Sequence, residues 1–357
     1  MIPIPRRITV TLMACVLALV TVSCGDTTPT EDAATRVTIR LLTHDSFALS
    51  DGLLEQFAED TGIEVELIQG GDAGTVVNQA ILTNGNPQAD VLFGIDSTFL
   101  TRALDEDLFV PYEARDLAEV DETLLLDPEH RVTPIDYGDV CLNYDKSFFA
   151  ERGIPVPQRL ADLTLPIYDG LLVVENPATS SPGLAFLLAT IDAFGPSGWQ
   201  AWWADLRDNG VRVASGWEDA YYGQFSGGAG SEGDRPLVVS YASSPPVEVI
   251  FADPPVSEAP TGVITDGCYR QIEGAGILAG TRHEAEAGRL IDFLLSAEVQ
   301  ADVATSMFVY PVRRGIDLPA VFLETAVRPE HVVALPAAEI SAHRDDWIDT
   351  WTDLVLR

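Results

Sequence analysis

The chain has 357 residues, a formal net charge of −34 and an ordinary hydrophobic content of 46%. Arginine supplies nearly all of its positive charge, since Lys146 is the only lysine. So acidic a surface repels nucleic acid and anionic lipid headgroups, and it attracts cations weakly over long distances. We therefore expect no nucleic-acid partner. The length exceeds what one hydrophobic core usually supports, which predicts two lobes.

The first 24 residues have the pattern of a bacterial export signal. Arg6 and Arg7 give a basic start, residues 8–22 form an uncharged apolar run, and small residues lead to Cys24. The run is shorter than the roughly 20 residues that a membrane-spanning helix needs. We predict that Cys24 is lipidated and tethers the exported chain to the membrane, with 25–36 as a flexible linker. A plain cleaved signal, with Cys24 incidental, is the alternative.

Strands and helices alternate in the first part of the chain. The apolar pattern predicts strands at 37–41, 63–68 and 91–93, with helices that begin near Leu53, Thr75 and Phe99. Such alternation predicts βαβ units, an α/β fold and a largely parallel sheet. Asp45, Asp72 and Asp96 each follow or end a strand, at the edge where parallel sheets bind ligands. One aspartate there is usually a helix cap, but three indicate an acidic rim that tolerates a cation.

A second βα series follows residue 138. A strand at 171–174 leads through a loop rich in serine and threonine into an apolar helix. We expect Ser181 to cap this helix and Pro182 to occupy its first turn. The hydroxyl of Ser180 and the amides at this helix start could hold a phosphate, or the loop could serve only as a cap.

Two aromatic residues stand at the ends of neighbouring strands. Trp217 follows a strand predicted at 211–214, and Tyr241 closes a strand predicted at 237–239. A large aromatic side chain at a strand end is exposed to solvent unless it covers something. With the acidic rim opposite, the two rings predict a box for a flat, positively charged ligand.

The sequence carries no recognised catalytic motif. It lacks GxSxG, HExxH, Walker and GxGxxG signatures, and its five histidines are scattered. We therefore predict a protein that is not an enzyme and that needs no metal and no cofactor. Cys141 and Cys268 are the cysteines left after the signal, and export to an oxidising compartment predicts that they form a disulfide. Two buried free thiols are the alternative.

Several segments resemble the extracellular solute-binding proteins of ABC importers. The late helix 286–300 is similar to a helix of that family. Further matches resemble its thiamine-binding members and follow one another in chain order: THDSF (43–47), GID (94–96), DYG (136–138), NYDK (143–146), TSSPG (179–183), GWEDAY (216–221), SY (240–241), SP (244–245), YPV (310–312) and the last helix (338–354). Together they extend across nearly the whole mature chain.

The resemblance implies a two-lobed periplasmic-binding-protein type II fold with hinge crossovers. Residues 37–136 and 272–312 would form the first lobe, and residues 137–271 and 313–357 the second. Thiamine or a thiamine phosphate would bind in the cleft between them. The protein, a monomer, would then deliver this ligand to the subunits of an ABC permease.

The resemblance also assigns roles to individual residues. Trp217 and Tyr241 would sandwich the thiazolium ring of the ligand. Asp45 and Asp72 would lie near the pyrimidine ring, and Ser180 would meet a phosphate or hydroxyl group.

Tyr221 and Phe308 complete the implied set of ligand-binding residues. Two positions depart from the family pattern, because His44 stands where the family has tyrosine and Phe308 stands where it has tryptophan. Two other functions stay open. Adjacent Tyr221 and Tyr222 resemble the tyrosine pair of related ferric-ion carriers, and Fe(III) favours phenolate ligands. A secreted hydrolase is the other alternative, although no motif supplies its nucleophile and base.

Overall fold

The computed structural model describes residues 36–357, so the predicted signal, Cys24 and most of the linker lie outside the described residues. Within that range ten strands form a single sheet. The strands are β1 (Val37–Thr43), β2 (Ile63–Gln69), β3 (Val91–Asp96), β4 (Phe109–Val110), β5 (Thr133–Asp145), β6 (Leu172–Glu175), β7 (Arg212–Ala214), β8 (Leu237–Tyr241), β9 (Thr261–Leu278) and β10 (Tyr310–Pro311).

The same part of the chain forms eleven α-helices. They are α1 (Leu53–Thr61), α2 (Ala73–Leu82), α3 (Leu100–Asp105), α4 (Lys146–Arg152), α5 (Ser181–Phe194), α6 (Trp199–Asp208), α7 (Pro245–Ile250), α8 (Glu284–Leu294), α9 (Ala297–Ser306), α10 (Ala320–Thr325) and α11 (Ala337–Val355). Among residues 36–357, none of the helices is both long and apolar enough to cross a membrane.

The sheet has two parallel parts. β1 pairs in parallel with β2 and β3, and β6 pairs in parallel with β7 and β8. We call the part built around β1–β3 lobe 1 and the part built around β6–β8 lobe 2. The alternating βα pattern of the sequence is confirmed in both. In β1, for example, Ile39 and Leu41 alternate on one buried face of the strand, as a period of two requires.

Two long strands connect the lobes. β5 and β9 are antiparallel and lie in the middle of the strand order β2-β1-β3-β9-β5-β8-β6-β7. Tyr137 of β5 pairs with Ile272 of β9 on one side and with Tyr310 of β10 on the other. The three strands therefore lie side by side at this row of residues. The lobe boundaries expected from the sequence fall at this row. They stay a prediction, because the sheet passes through the row without a break.

The last helix packs against both lobes. In α11, Trp351 meets Trp203 of α6 edge to face, with ring centroids 5.4 Å apart. In the same helix the guanidinium of Arg344 lies 5.5 Å from the ring of Phe99, which precedes α3 in lobe 1. A helix of 19 residues is about 28 Å long, which is enough to reach both lobes. The expected division places residues 313–357 in lobe 2, and that assignment stays a prediction.

Helix α5 begins one residue earlier than the sequence predicted. Ser180 is its N-cap, since the Ser180 hydroxyl accepts the backbone N–H of Gly183 at 3.3 Å. The expectation that Ser181 caps this helix is therefore wrong, because Ser181 already belongs to its first turn. Residues 181–191 are all buried, which fixes the start of α5 beside the sheet.

Cys141 and Cys268 form a disulfide, with their sulfur atoms 2.04 Å apart. This is the pairing that the sequence predicted. Cys141 lies on β5 and Cys268 on β9, and each is only 1% exposed. The bond therefore ties together the two strands that connect the lobes, on the side of the crossing that faces lobe 2.

Candidate ligand-binding site

A cleft opens between the two lobes, above the crossing strands. Its empty space is about 710 Å³ when the solvent in its open mouth is counted. Its walls come from strand ends and helix starts of both lobes, and its floor comes from β5 and β9. The lining residues are His44, Asp45, Ser46, Asp72, Ala73, Asp136, Gly138, Ser181, Pro182, Trp217, Tyr241, Ser244, Val247, Gln271, Glu273, Met307, Phe308 and Val309.

Trp217 forms part of the lobe 2 wall. Its ring stacks on Tyr221, with centroids 4.9 Å apart and planes 19° apart. Its indole N–H donates to the hydroxyl of Ser240 at 2.9 Å. Tyr221 stacks on the indole ring and Ser240 accepts a hydrogen bond from its N–H. The indole is therefore held in position at the wall of the cleft before any ligand binds.

Tyr241 lies next to the floor. Its hydroxyl donates to Oε1 of Gln271 at 2.9 Å. Burial raises the pKa of Tyr241 well above its usual value, and nearby Glu273 adds to this, so the phenol stays neutral and remains a donor. Gly138 lets the ring approach this closely, because a Cβ there would lie 2.6 Å from Cδ1 of Tyr241.

Asp72 lines the cleft, but its hydrogen bonds are made within the protein. Its carboxylate caps α2 by accepting the N–H of Ala73 at 2.6 Å. It also accepts the N–H of Trp217 at 2.8 Å and that of Ser181 at 3.2 Å. Burial raises the pKa of Asp72, although these bonds favour the ionised form and oppose the shift. Gly216 makes the contact possible, since a Cβ there would come within 2.9 Å of the Asp72 side chain.

The floor carries two carboxyl groups beside a histidine. Asp136 and Glu273 are cross-strand partners on β5 and β9. Nε2 of His44 lies 3.3 Å from Oε1 of Glu273. Burial alone would lower the pKa of His44, but Glu273 and the nearby aspartates outweigh it and raise that pKa. A protonated His44 would offset the negative charge of the acidic floor.

Five of the seven residues that the resemblance assigned to the ligand line the cleft, namely Asp45, Asp72, Trp217, Tyr241 and Phe308. The carboxylate of Asp45 is exposed, and within residues 36–357 the hydrogen bond that it accepts is a long one, 3.5 Å from the hydroxyl of Ser46. Phe308 stands at the edge of the cleft with a positive φ of 58°, and its ring lies 6.0 Å from that of Phe251. Asp45 and Phe308 are therefore accessible to a ligand in the cleft.

Ser180 and Tyr221 do not line the cleft. Ser180 is fully buried as the cap of α5. Tyr221 is also fully buried, and its hydroxyl donates to Oε1 of Glu248 at 2.8 Å. The tyrosine pair that suggested a ferric site is therefore not presented to the cleft, because neither Tyr221 nor Tyr222 lines it.

No binding role was predicted for the floor residues Asp136, Gln271 and Glu273. The sequence did contain a signal for two of them. Gln271 and Glu273 are two residues apart on one strand, so their side chains lie on the same face. Asp136 stood in a segment that resembled the family, but nothing in the local sequence indicated that it would pair with Glu273.

Comparisons with known proteins agree with this architecture. A model of the family described as bacterial extracellular solute-binding protein matches residues 86–341. The thiamine-binding periplasmic protein of Escherichia coli is 29% identical over 324 residues, which cover 89% of this chain and 94% of that protein. A solved periplasmic thiamin binding protein has a TM-score of 0.78 and 26% identity, and covers 90% of this chain and 96% of that one.

A ferric binding protein from Campylobacter jejuni shares the fold at 18% identity, with a TM-score of 0.72 and coverage of 88% of this chain and 99% of that chain. The architecture is the two-lobed type II periplasmic-binding-protein fold, which confirms the fold class that the sequence predicted. The family model spans most of the chain, from the third strand to the start of the last helix. This chain belongs to the bacterial extracellular solute-binding proteins.

Proposed function

We propose that this protein captures thiamine, or a phosphate ester of thiamine, in the cleft and delivers it to an ABC permease. The observation that carries the proposal is an acidic cleft with an aromatic wall. In the part of the chain that the structure describes, four carboxylic residues line the cleft and no lysine or arginine does. Thiamine joins a flat, permanently cationic thiazolium ring to an aminopyrimidine, which suits such a lining. The thiamine-binding relatives described above support the same ligand.

In this proposal the aromatic wall binds the charged ring. Trp217 and Tyr241 stack on the thiazolium, and a cation over an aromatic face contributes roughly 0.5–2 kcal/mol, more when water is excluded. Asp45 accepts a hydrogen bond at the mouth of the cleft, and Phe308 covers the ligand from the edge. Ser180 and Tyr221 act behind this surface: Ser180 fixes the start of α5, and Tyr221 supports the Trp217 ring.

The protein performs no chemistry on its ligand in this proposal. Capture follows from closure of the two lobes, because a ligand that contacts both lobes favours the closed arrangement. The sequence-based lobe boundaries, with the crossing near Tyr137, define the hinge. A lipid on Cys24 holds the monomer at the membrane, outside the cytoplasm, where the permease receives the ligand.

Titration calorimetry with thiamine, thiamine monophosphate and thiamine diphosphate tests the proposal. We expect saturable 1:1 binding of thiamine to the mature protein. The absence of binding by all three ligands would refute the proposed function. A visible absorption spectrum of the protein after addition of ferric citrate tests the iron alternative, since tyrosinate-bound Fe(III) is coloured and we expect no such band.

A further inference from the structure

Two acidic side chains face each other across the floor of the cleft. Asp136 and Glu273 are cross-strand partners and both line the cavity. Side chains so paired have Cβ atoms roughly 4.5–5.5 Å apart, so two ionised carboxylates would repel each other strongly here. Asp136 is 2% exposed, and its Oδ2 has no hydrogen-bond partner among residues 36–357. Because an unpaired buried oxygen is costly, this atom points to a polar group of the ligand.

Several titratable groups surround the pair. Nε2 of His44, from the loop after β1, lies 3.3 Å from Oε1 of Glu273. Asp96 of β3 is the other cross-strand neighbour of Glu273, and it too is buried. Burial and the neighbouring Glu273 raise the pKa of Asp136 well above its usual range. The raised pKa favours the protonated form of the Asp136 carboxyl.

The remaining polar groups of the floor are already hydrogen-bonded. Oε1 of Gln271 accepts the Tyr241 hydroxyl, and the Gln271 amide nitrogen donates to the hydroxyl of Ser181. Gln271 thus fixes the aromatic wall and the start of α5. The carboxyl pair is the part of the floor left to meet a ligand.

Thiamine has one edge that matches such a pair. Its thiazolium ring carries the positive charge but has no N–H group. Its aminopyrimidine ring places an exocyclic amino donor beside a ring-nitrogen acceptor. A protonated carboxyl can donate to that ring nitrogen while a carboxylate oxygen accepts from the amino group.

We propose that Asp136 and Glu273 are the specificity-determining pair that binds the 4-aminopyrimidine ring of the ligand. The inference rests on the proposed function and deepens it, because it names the ring that the floor recognises. The thiazolium ring is then bound by the aromatic side chains of Trp217 and Tyr241.

Oxythiamine tests this inference, because it carries a 4-oxo group in place of the 4-amino group and so reverses the donor and acceptor pattern of that edge. We expect the wild-type protein to bind thiamine at least about tenfold more tightly than oxythiamine, the effect of one mismatched hydrogen bond to a charged group. Asp136→Asn should reduce that ratio to about threefold or less, since a side-chain amide can turn to suit either pattern.

Asp208→Asn is the matched control. It makes the same Asp-to-Asn change at an exposed position on α6, away from the cleft, and should leave the ratio of the two dissociation constants unchanged. Thermal unfolding followed by circular dichroism establishes that each variant is folded. If Asp136→Asn does not fold, Glu273→Gln carries the same expectation.

The outcomes separate the two proposals. A wild-type protein that does not bind thiamine refutes the proposed function. A wild-type protein that binds thiamine and oxythiamine equally well overturns the inference alone, and that measurement needs no variant. An Asp136→Asn protein that keeps the wild-type ratio overturns it as well.

Discussion

Asp72 and Trp217 join the two lobes directly: the Asp72 carboxylate of lobe 1 accepts the backbone N–H of Trp217, in lobe 2, at 2.8 Å. The same carboxylate accepts the N–H of Ser181, also in lobe 2. The sequence assigned Asp72 to the pyrimidine side of the ligand. That role stays a prediction. In the structure the Asp72 carboxylate also connects the lobes across the cleft, so it would contribute to binding through closure as well.

The first prediction concerns this interlobe contact. Asp72→Ala removes an acceptor of three backbone N–H groups, so the ligand-free protein should open, and small-angle X-ray scattering should report a larger radius of gyration. Thiamine binding should weaken by about 1.5–3 kcal/mol, the contribution of a hydrogen bond to a charged group. Asp45→Asn is the control, since Asp45 makes no bond to lobe 2. It should weaken thiamine binding without a change in scattering, and equal radii for Asp72→Ala and wild type would contradict the assignment.

Trp217 supplies the second prediction. Thiamine should quench the intrinsic fluorescence of the protein through this indole. Trp217→Ala should weaken binding by roughly 1–3 kcal/mol, the range for losing a stacked and desolvated aromatic contact. Trp347→Phe, on α11 outside the cleft, should preserve both the affinity and most of the quenching. Unchanged affinity in Trp217→Ala would remove this residue from the site.

Local sequence was enough to predict the parts of the fold that local interactions determine. Alternating apolar residues gave β1 and the βα units, because burial of one strand face imposes a period of two. The disulfide could be predicted because only two cysteines follow the expected signal. The cap of α5 was misplaced by one residue, since adjacent Ser180 and Ser181 both suit an N-cap.

The floor of the site could not be predicted in the same way. Asp136 meets Glu273 only because β5 and β9 pair antiparallel at one particular register. That register depends on the packing of both lobes and not on either strand alone. Ser180 and Tyr221 had suitable chemistry for the ligand, but the roles of N-cap and core hydrogen-bond donor use their hydroxyls elsewhere.

The start of α5 leads to the third prediction, which concerns phosphate. The N–H of Ser181 is bound to Asp72, Pro182 has none, and the N–H of Gly183 is bound to Ser180. No free amide is therefore offered to a phosphate at this helix start, and the cleft is lined with carboxylates. We expect thiamine diphosphate to bind at least about tenfold more weakly than thiamine, because like charges brought together cost several kcal/mol.

The variant Asp72→Ala tests why thiamine should bind more tightly than thiamine diphosphate. It frees the N–H of Ser181 and removes one negative charge, so it should narrow the difference between thiamine and its diphosphate. Calorimetry of both ligands with both proteins gives the four affinities. Tighter binding of the diphosphate by the wild-type protein would show that the helix start accepts phosphate.

The disulfide gives the fourth prediction. Cys141 and Cys268 are separated by 127 positions, and closing so long a loop contributes up to about 4–5 kcal/mol in the chain-entropy model. The double substitution Cys141→Ala with Cys268→Ala should lower the free energy of unfolding in urea, with thiamine affinity kept because neither cysteine lines the cleft. Two free thiols in the denatured, unreduced protein would contradict the bond.

Glu248 supplies the last prediction, which concerns pH. This residue is 3% exposed, and burial raises its pKa to about 7. Between its unfolded value of 4.5 and about 7 the folded protein holds a proton that the unfolded chain releases. The contribution of Glu248 to the stability of the folded protein is therefore fully present below pH 4.5. It is lost as the pH rises from 4.5 to about 7.

Glu248→Gln removes the titrating group while keeping an oxygen that can accept the Tyr221 hydroxyl. Between pH 4.5 and 7 the free energy of unfolding should fall less in this variant than in wild type. The difference between the two falls should reach up to about 3 kcal/mol, at 1.36 kcal/mol per pH unit. Urea denaturation at a series of pH values measures both curves. Other buried carboxyls, such as Asp96, contribute equally to the two proteins, and the exposed Glu258→Gln should follow wild type. Parallel curves for Glu248→Gln and wild type would mean that Glu248 is already ionised in the folded protein at pH 5.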